Sequence, residues 1–160
     1  VALWNRSDPA STTLSYTDNT TVAGTVLPSV MGTPSLRCFT CHDGASAIGT
    51  LLNGSYTMLG ANQTAGVLNA NSTADVSAGE MNGNHPISVA YGDGSTYNGT
   101  TGTSSGYNAA SSVTLGNLYG SATNWGVECG SCHEPHDDQF GSFLRADNSG
   151  SLLCLDCHDK

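Results

Sequence analysis

Apolar residues recur along this chain only in short stretches. Ile87, Val89 and Tyr91 alternate with small residues until Gly92, Asp93 and Gly94 break the run. A period of two over that length predicts one short strand. Ser35 to Ala47 is read as a short helix. Leu152 and Leu153 predict a last helix, with Asn148 or Ser149 as its N-cap. Leu115, Leu118, Tyr119 and Trp125 bring apolar contact back just before Cys129, and Phe140, Phe143 and Leu144 follow Cys132. Trp4, Leu14, Tyr16, Val22, Val26 and Leu27 are the main apolar groups of residues 1–37. The rest of 43–128 is dominated by Gly, Ser, Thr, Asn and Ala and reads as loop. Residues 92–112 in particular are expected to form an irregular surface loop.

Composition sharpens the problem. Leu, Ile, Val and Phe together are 28 of 160 residues, whereas Ser, Thr, Asn and Gly are 71. Charged residues are 11%, and the net charge is −9. So few large apolar side chains bury little area against the entropy of ordering the chain. Something other than side chains must supply the core. Four basic residues argue against nucleic acid and against anionic membrane surfaces. No apolar run approaches the roughly 20 residues of a membrane span. The chain begins at Val1, and a leader is expected to have been removed.

The six cysteines resolve the shortfall. They form three C-x-x-C pairs, Cys38 with Cys41, Cys129 with Cys132 and Cys154 with Cys157, and a histidine follows each at once: His42, His133 and His158. C-x-x-C-H reads as covalent attachment of a c-type haem: the two thiols add to the porphyrin vinyl groups, and the histidine lies under the iron as proximal ligand. A zinc site from Cys129, Cys132, Cys154 and Cys157, with 21 residues between the pairs, is the alternative, as are disulfides. Neither demands a histidine after every pair. Random placement would put one there three times with a chance on the order of 10⁻⁵. Three covalently bound haems are therefore expected to form the core, with the apoprotein largely unfolded.

Three irons have six axial positions, and the chain has 5 histidines. After the proximal three, His85 and His136 remain as distal ligands. Pro86 holds His85 extended. His136 follows His133 by three residues across Pro135 and is expected to ligate a haem other than its neighbour's. One position has no histidine, and exchange between identical subunits does not repair the count. Met31, Met58, Met81, the Val1 amine, water and an open site are the alternatives for it. Arg37 and Arg145 lie near the motifs and suit haem propionates.

The fold expected from these facts is mostly irregular coil organised around three haems, with short helices at the motifs and at most minor β structure. Residues 1–160 are read as a single three-haem domain, with 1–37 as an N-terminal segment available to a neighbouring molecule. The chain ends two residues after His158, so no second domain is expected there.

In Arg37–Gly44, Asn84–Val89, Val127–His136 and Phe143–Lys160 the chain resembles multihaem c-type cytochromes with repeated C-x-x-C-H motifs. It is similar among these to the subunits of extracellular cytochrome filaments, or nanowires. The resemblance implies electron transfer rather than enzymatic turnover, distal ligation by His85 and His136, and haems continuous across subunits. It implies a homopolymer built through haem stacking at subunit ends, exchanging electrons with redox proteins or extracellular acceptors. The missing sixth histidine departs from the usual bis-histidine pattern of such filaments. A monomeric periplasmic shuttle is the alternative, although such carriers often surround their haem edges with lysine and this chain has one. A haem enzyme or sensor built on an open iron is a third reading.

Overall fold

The computed structural model describes residues 13–16, 26–42, 63–64, 67–68, 81, 84–103 and 105–160. Val1, Trp4, Val22 and Met58, and the end of the expected first helix, lie outside them. Two compact units emerge. The first comprises Val1–Tyr16 and Ser29–Asn84, the second Thr17–Pro28 and His85–Lys160.

In the first unit, helix α1 spans Thr33–His42. Pro34 sits in its first turn, where a missing N–H costs no hydrogen bond. Ser35 and Phe39, four residues apart and so on one face, are buried, as is Thr40, while Arg37 is exposed. Thr40 Oγ1 donates back to the Arg37 carbonyl at 2.7 Å. Leu14, Met31 and Met81 are buried in the same unit. Main-chain bonds from Leu14 to Ser29 and from Met81 to Ser15 hold these segments together. Strands β1 (Gln63–Thr64) and β2 (Val67–Leu68) form an antiparallel pair.

The second unit is built on short strands. β3 (Val89–Ala90) is the strand the alternation predicts, and Ile87, Val89, Ala90 and Tyr91 are all buried. The expected irregular loop over 92–112 needs correction. It contains a hairpin, β4 (Thr96–Tyr97) with β5 (Thr100–Thr101). Asn98 and Gly99 turn it with φ of 45° and 74°. Both central residues are left-handed, as the two-residue turn that matches strand twist requires, and Asn-Gly is its strongest sequence signal. A second hairpin joins β6 (Tyr119–Ser121) to β7 (Asn124–Val127), and β7 also pairs antiparallel with β3. β7 is thus the central strand and runs through Glu128 straight into helix α2, Cys129–Cys132. A one-turn helix over Ser149–Ser151 leads into α3, Leu152–Cys157. Among the described residues no helix is long and apolar enough to cross a membrane.

Among the described residues, the interior of this unit carries a large polar share. Ser88, Ser95, Thr100, Glu128 and Ser131 are buried beside Leu27, Ala146 and Leu153. Each such hydroxyl or carboxylate needs a partner to offset its lost hydration. Glu128 accepts hydrogen bonds from Ser88 Oγ and Tyr97 Oη, each at 2.9 Å. It also exchanges capping bonds with Ser131 at the start of α2. The Ala90 amide donates to Thr100 Oγ1 at 2.6 Å.

Candidate functional site

Two of the three motifs, both in the second unit, are presented in one way. Cys129 and Cys132 lie at the two ends of the single turn of α2, and Cys154 and Cys157 lie one turn apart in α3. Residues three apart on a helix share a face, so each pair of sulfurs points to one side. The histidine that follows is the C-cap and leaves the helix extended: His133 at φ −110°, ψ 141° and His158 at φ −102°, ψ 126°. Its amide still closes the turn, from His133 to Cys129 O at 3.1 Å and from His158 to Cys154 O at 2.9 Å. In the first unit, Cys38, Cys41 and His42 all lie within α1 and are half-buried.

The ring of His133 is oriented by its surroundings. Its Nδ1 lies 2.9 Å from the Ser142 carbonyl, which can only accept. The proton is then fixed on Nδ1, and Nε2 keeps its lone pair for a metal. That carbonyl is aimed by a left-handed loop, with φ of 75° at Gly141, 51° at Ser142 and 55° at Phe143. Two adjacent non-glycine residues in that region hold strain of the kind that clusters at functional sites. The loop is secured by Glu134 N to Phe143 O at 2.7 Å and Phe143 N to Asp138 Oδ1 at 2.8 Å. Arg145 Nε donates to Gly130 O at 2.6 Å, and its guanidinium lies 3.4 Å from Glu134. Arg145 thereby braces the second motif. The loop was not anticipated from sequence; Gly141 was its only local signal.

The third motif is clamped on two sides. Tyr91, 1% exposed, donates to both Asn108 O at 2.9 Å and Cys157 O at 3.0 Å. Burial, then the neighbouring Cys157, pushes its phenol well above the ordinary value. Asp156, between the two cysteines, accepts from the amides of Thr114, Leu115 and Gly116 at 2.9–3.1 Å. Burial opposes its charge, but these amide bonds outweigh that and hold its carboxyl below the usual range. The next amide, Asn117, donates to Ser131 O of the second motif at 3.0 Å. Residues 114–117 therefore form a strap from one motif to the other. Neither it nor Tyr91 was expected as a supporting element.

Around His158, the Tyr107 ring lies at 4.8 Å and the His85 ring at 6.1 Å between centroids. Burial, then His85, lowers the His158 pKa, and a hydrogen bond with the Gly106 backbone works against them. His85 Nδ1 lies 2.7 Å from the Pro86 carbonyl, the same arrangement as at His133. His136 stands apart: its side chain is 91% exposed, with Nδ1 3.7 Å from Glu134. Met31 and Met81 are buried in the first unit.

The fit to a haem can be judged from the donors themselves. Burial raises the Cys132 thiol and pushes the Cys157 thiol up to about 11, with Asp156 adding to the latter. Among the described residues no group of three or more His, Cys, Asp or Glu is gathered to hold a metal ion. Phe140, Phe143, Leu152 and Leu155 present apolar surface beside the second and third motifs. Paired sulfurs on one face, an adjacent imidazole with an available nitrogen, and flanking apolar side chains suit a covalently held porphyrin.

No curated protein matches the chain. Residues 122–160, which take in the second and third motifs, match the family described as Doubled CXXCH motif; the similarity indicates covalently bound c-type haem and supports a multihaem c-type cytochrome.

Proposed function

We propose that this chain is an exported three-haem electron carrier that polymerises into an extracellular conductive filament. The observation that carries the haem reading is the common presentation of the second and third motifs, with both sulfurs on one helical face and the histidine extended beyond it. When bound, the haem irons supply reversible one-electron chemistry. The chain's own part is to attach the groups, orient the imidazoles through carbonyls such as Ser142 O, and hold the motifs in register through 114–117.

Two features support polymerisation. His136 presents its ring to solvent, three residues beyond His133, where a neighbouring molecule's haem can reach it. A single lysine among 160 residues suits stable docking of like subunits better than the lysine-lined edges by which mobile carriers steer to acidic partners. Electron microscopy of the native secreted material tests this. Filaments with a regular repeat are expected. Uniform small particles at high concentration would overturn the polymer and leave a monomeric periplasmic shuttle.

A further inference from the structure

His85 and His158 are far apart in sequence, yet their ring centroids lie 6.1 Å apart, with the planes tilted by 57°. A metal–imidazole bond of about 2 Å, with about 1.1 Å more from nitrogen to ring centre, sets two trans imidazoles on one metal about 6.2 Å apart. The angle between planes is free in such a pair, because each ring can turn about its own metal–nitrogen axis. The observed separation matches that spacing.

Its protonation suits the role. The Pro86 carbonyl, 2.7 Å from Nδ1, accepts the proton there and leaves the Nε2 lone pair for a metal. Pro86 restricts His85 to extended backbone. The segment that follows it is anchored twice: β3 pairs with β7, and Tyr91 just beyond β3 is bonded to the Cys157 carbonyl.

We propose that His85 is the distal ligand of the haem carried by Cys154, Cys157 and His158, so that this haem is held by two imidazoles of one chain. The pairing rests on the haem reading above. It leaves His136 for the other irons and confines the position without a histidine to the haem of the first or second motif.

The haem-loaded protein provides the test. Mass and the pyridine haemochrome spectrum first count covalent haems; a chain that carries none overturns the underlying reading and the pairing together. With haems present, His85→Ala is expected to leave their number unchanged and to add one carbon monoxide-binding haem per chain in the reduced protein. In the Cys154→Ser/Cys157→Ser background, which lacks the third haem, the same substitution is expected to add none. No gain in the full protein, or a gain in that background, overturns the pairing while leaving the haem reading intact. If the background variant does not fold, an experimental structure of the haem-loaded chain decides. His85 Nε2 on the iron attached at Cys154 and Cys157 supports the pairing; His85 on another iron, or on none, overturns it.

Discussion

Glu128 does the work of several apolar residues in a chain that has few of them. Its carboxylate is 1% exposed and gathers Ser88, Tyr97 and Ser131 around the start of the second motif. Removing it strands buried hydroxyls, each at a cost of about 1–3 kcal/mol. Glu128→Ala is therefore expected to destabilise the haem-loaded protein by about 3 kcal/mol in denaturant titration. Tyr91 and Tyr97 give the molecule an alkaline limit. Burial raises both phenols above their ordinary value, and for Tyr97 the Glu128 hydrogen bond adds to it. The unfolded chain therefore loses these protons first, from about pH 10 upward. Their contribution is complete below that pH and falls as pH rises through it, so the unfolding temperature should drop above about pH 10. Tyr91→Phe with Tyr97→Phe should flatten that limb of the profile.

The short elements owe their places to side chains that meet backbone. Asp156 is the clearest case, holding three successive amides of 114–116. In Asp156→Ala those amides should exchange with solvent about tenfold faster or more, since a hydrogen bond to a charged group contributes about 1.5–3 kcal/mol. The second motif depends on a close approach instead. A Cβ at Gly130 would collide with the Tyr119 hydroxyl, so with any other residue there the Tyr119 side chain must shift from its place on β6. These relations explain what sequence reading reached and what it missed. The attachment residues were legible because covalent chemistry fixes their spacing. β3 was legible because its alternation is local, and α3 because Leu152 and Leu153 mark it, but its N-cap is Ser151 rather than Asn148 or Ser149: a one-turn helix over Ser149–Ser151 precedes it, and Asn148 reaches it only by accepting from the Leu153 amide at 3.2 Å. The β4–β5 hairpin was legible in Asn98-Gly99 but was hidden by the polarity around it. The 114–117 strap and the Tyr91 clamp join residues from 14 to 66 apart in sequence, and such contacts leave no period in a sequence.

At the scale of the molecule, the polar interior of the second unit sets a dependence on the attached groups. Few large side chains are buried, and hydrogen-bonded hydroxyls offer little net stabilisation to offset chain entropy. Chain made without haem attachment is expected to be largely unfolded by far-ultraviolet circular dichroism and rapidly cut by protease, whereas the matured protein resists both. The two motifs of this unit are nevertheless joined by protein alone. The strap binds Asp156 inside one C-x-x-C and Ser131 inside the other through four consecutive residues. Electron tunnelling weakens exponentially with the gap it crosses. On the function proposed above, a four-residue backbone tether between the two motifs would fix that gap, so the rate between their haems is expected to be insensitive to most surface substitutions and sensitive to whatever loosens Asp156.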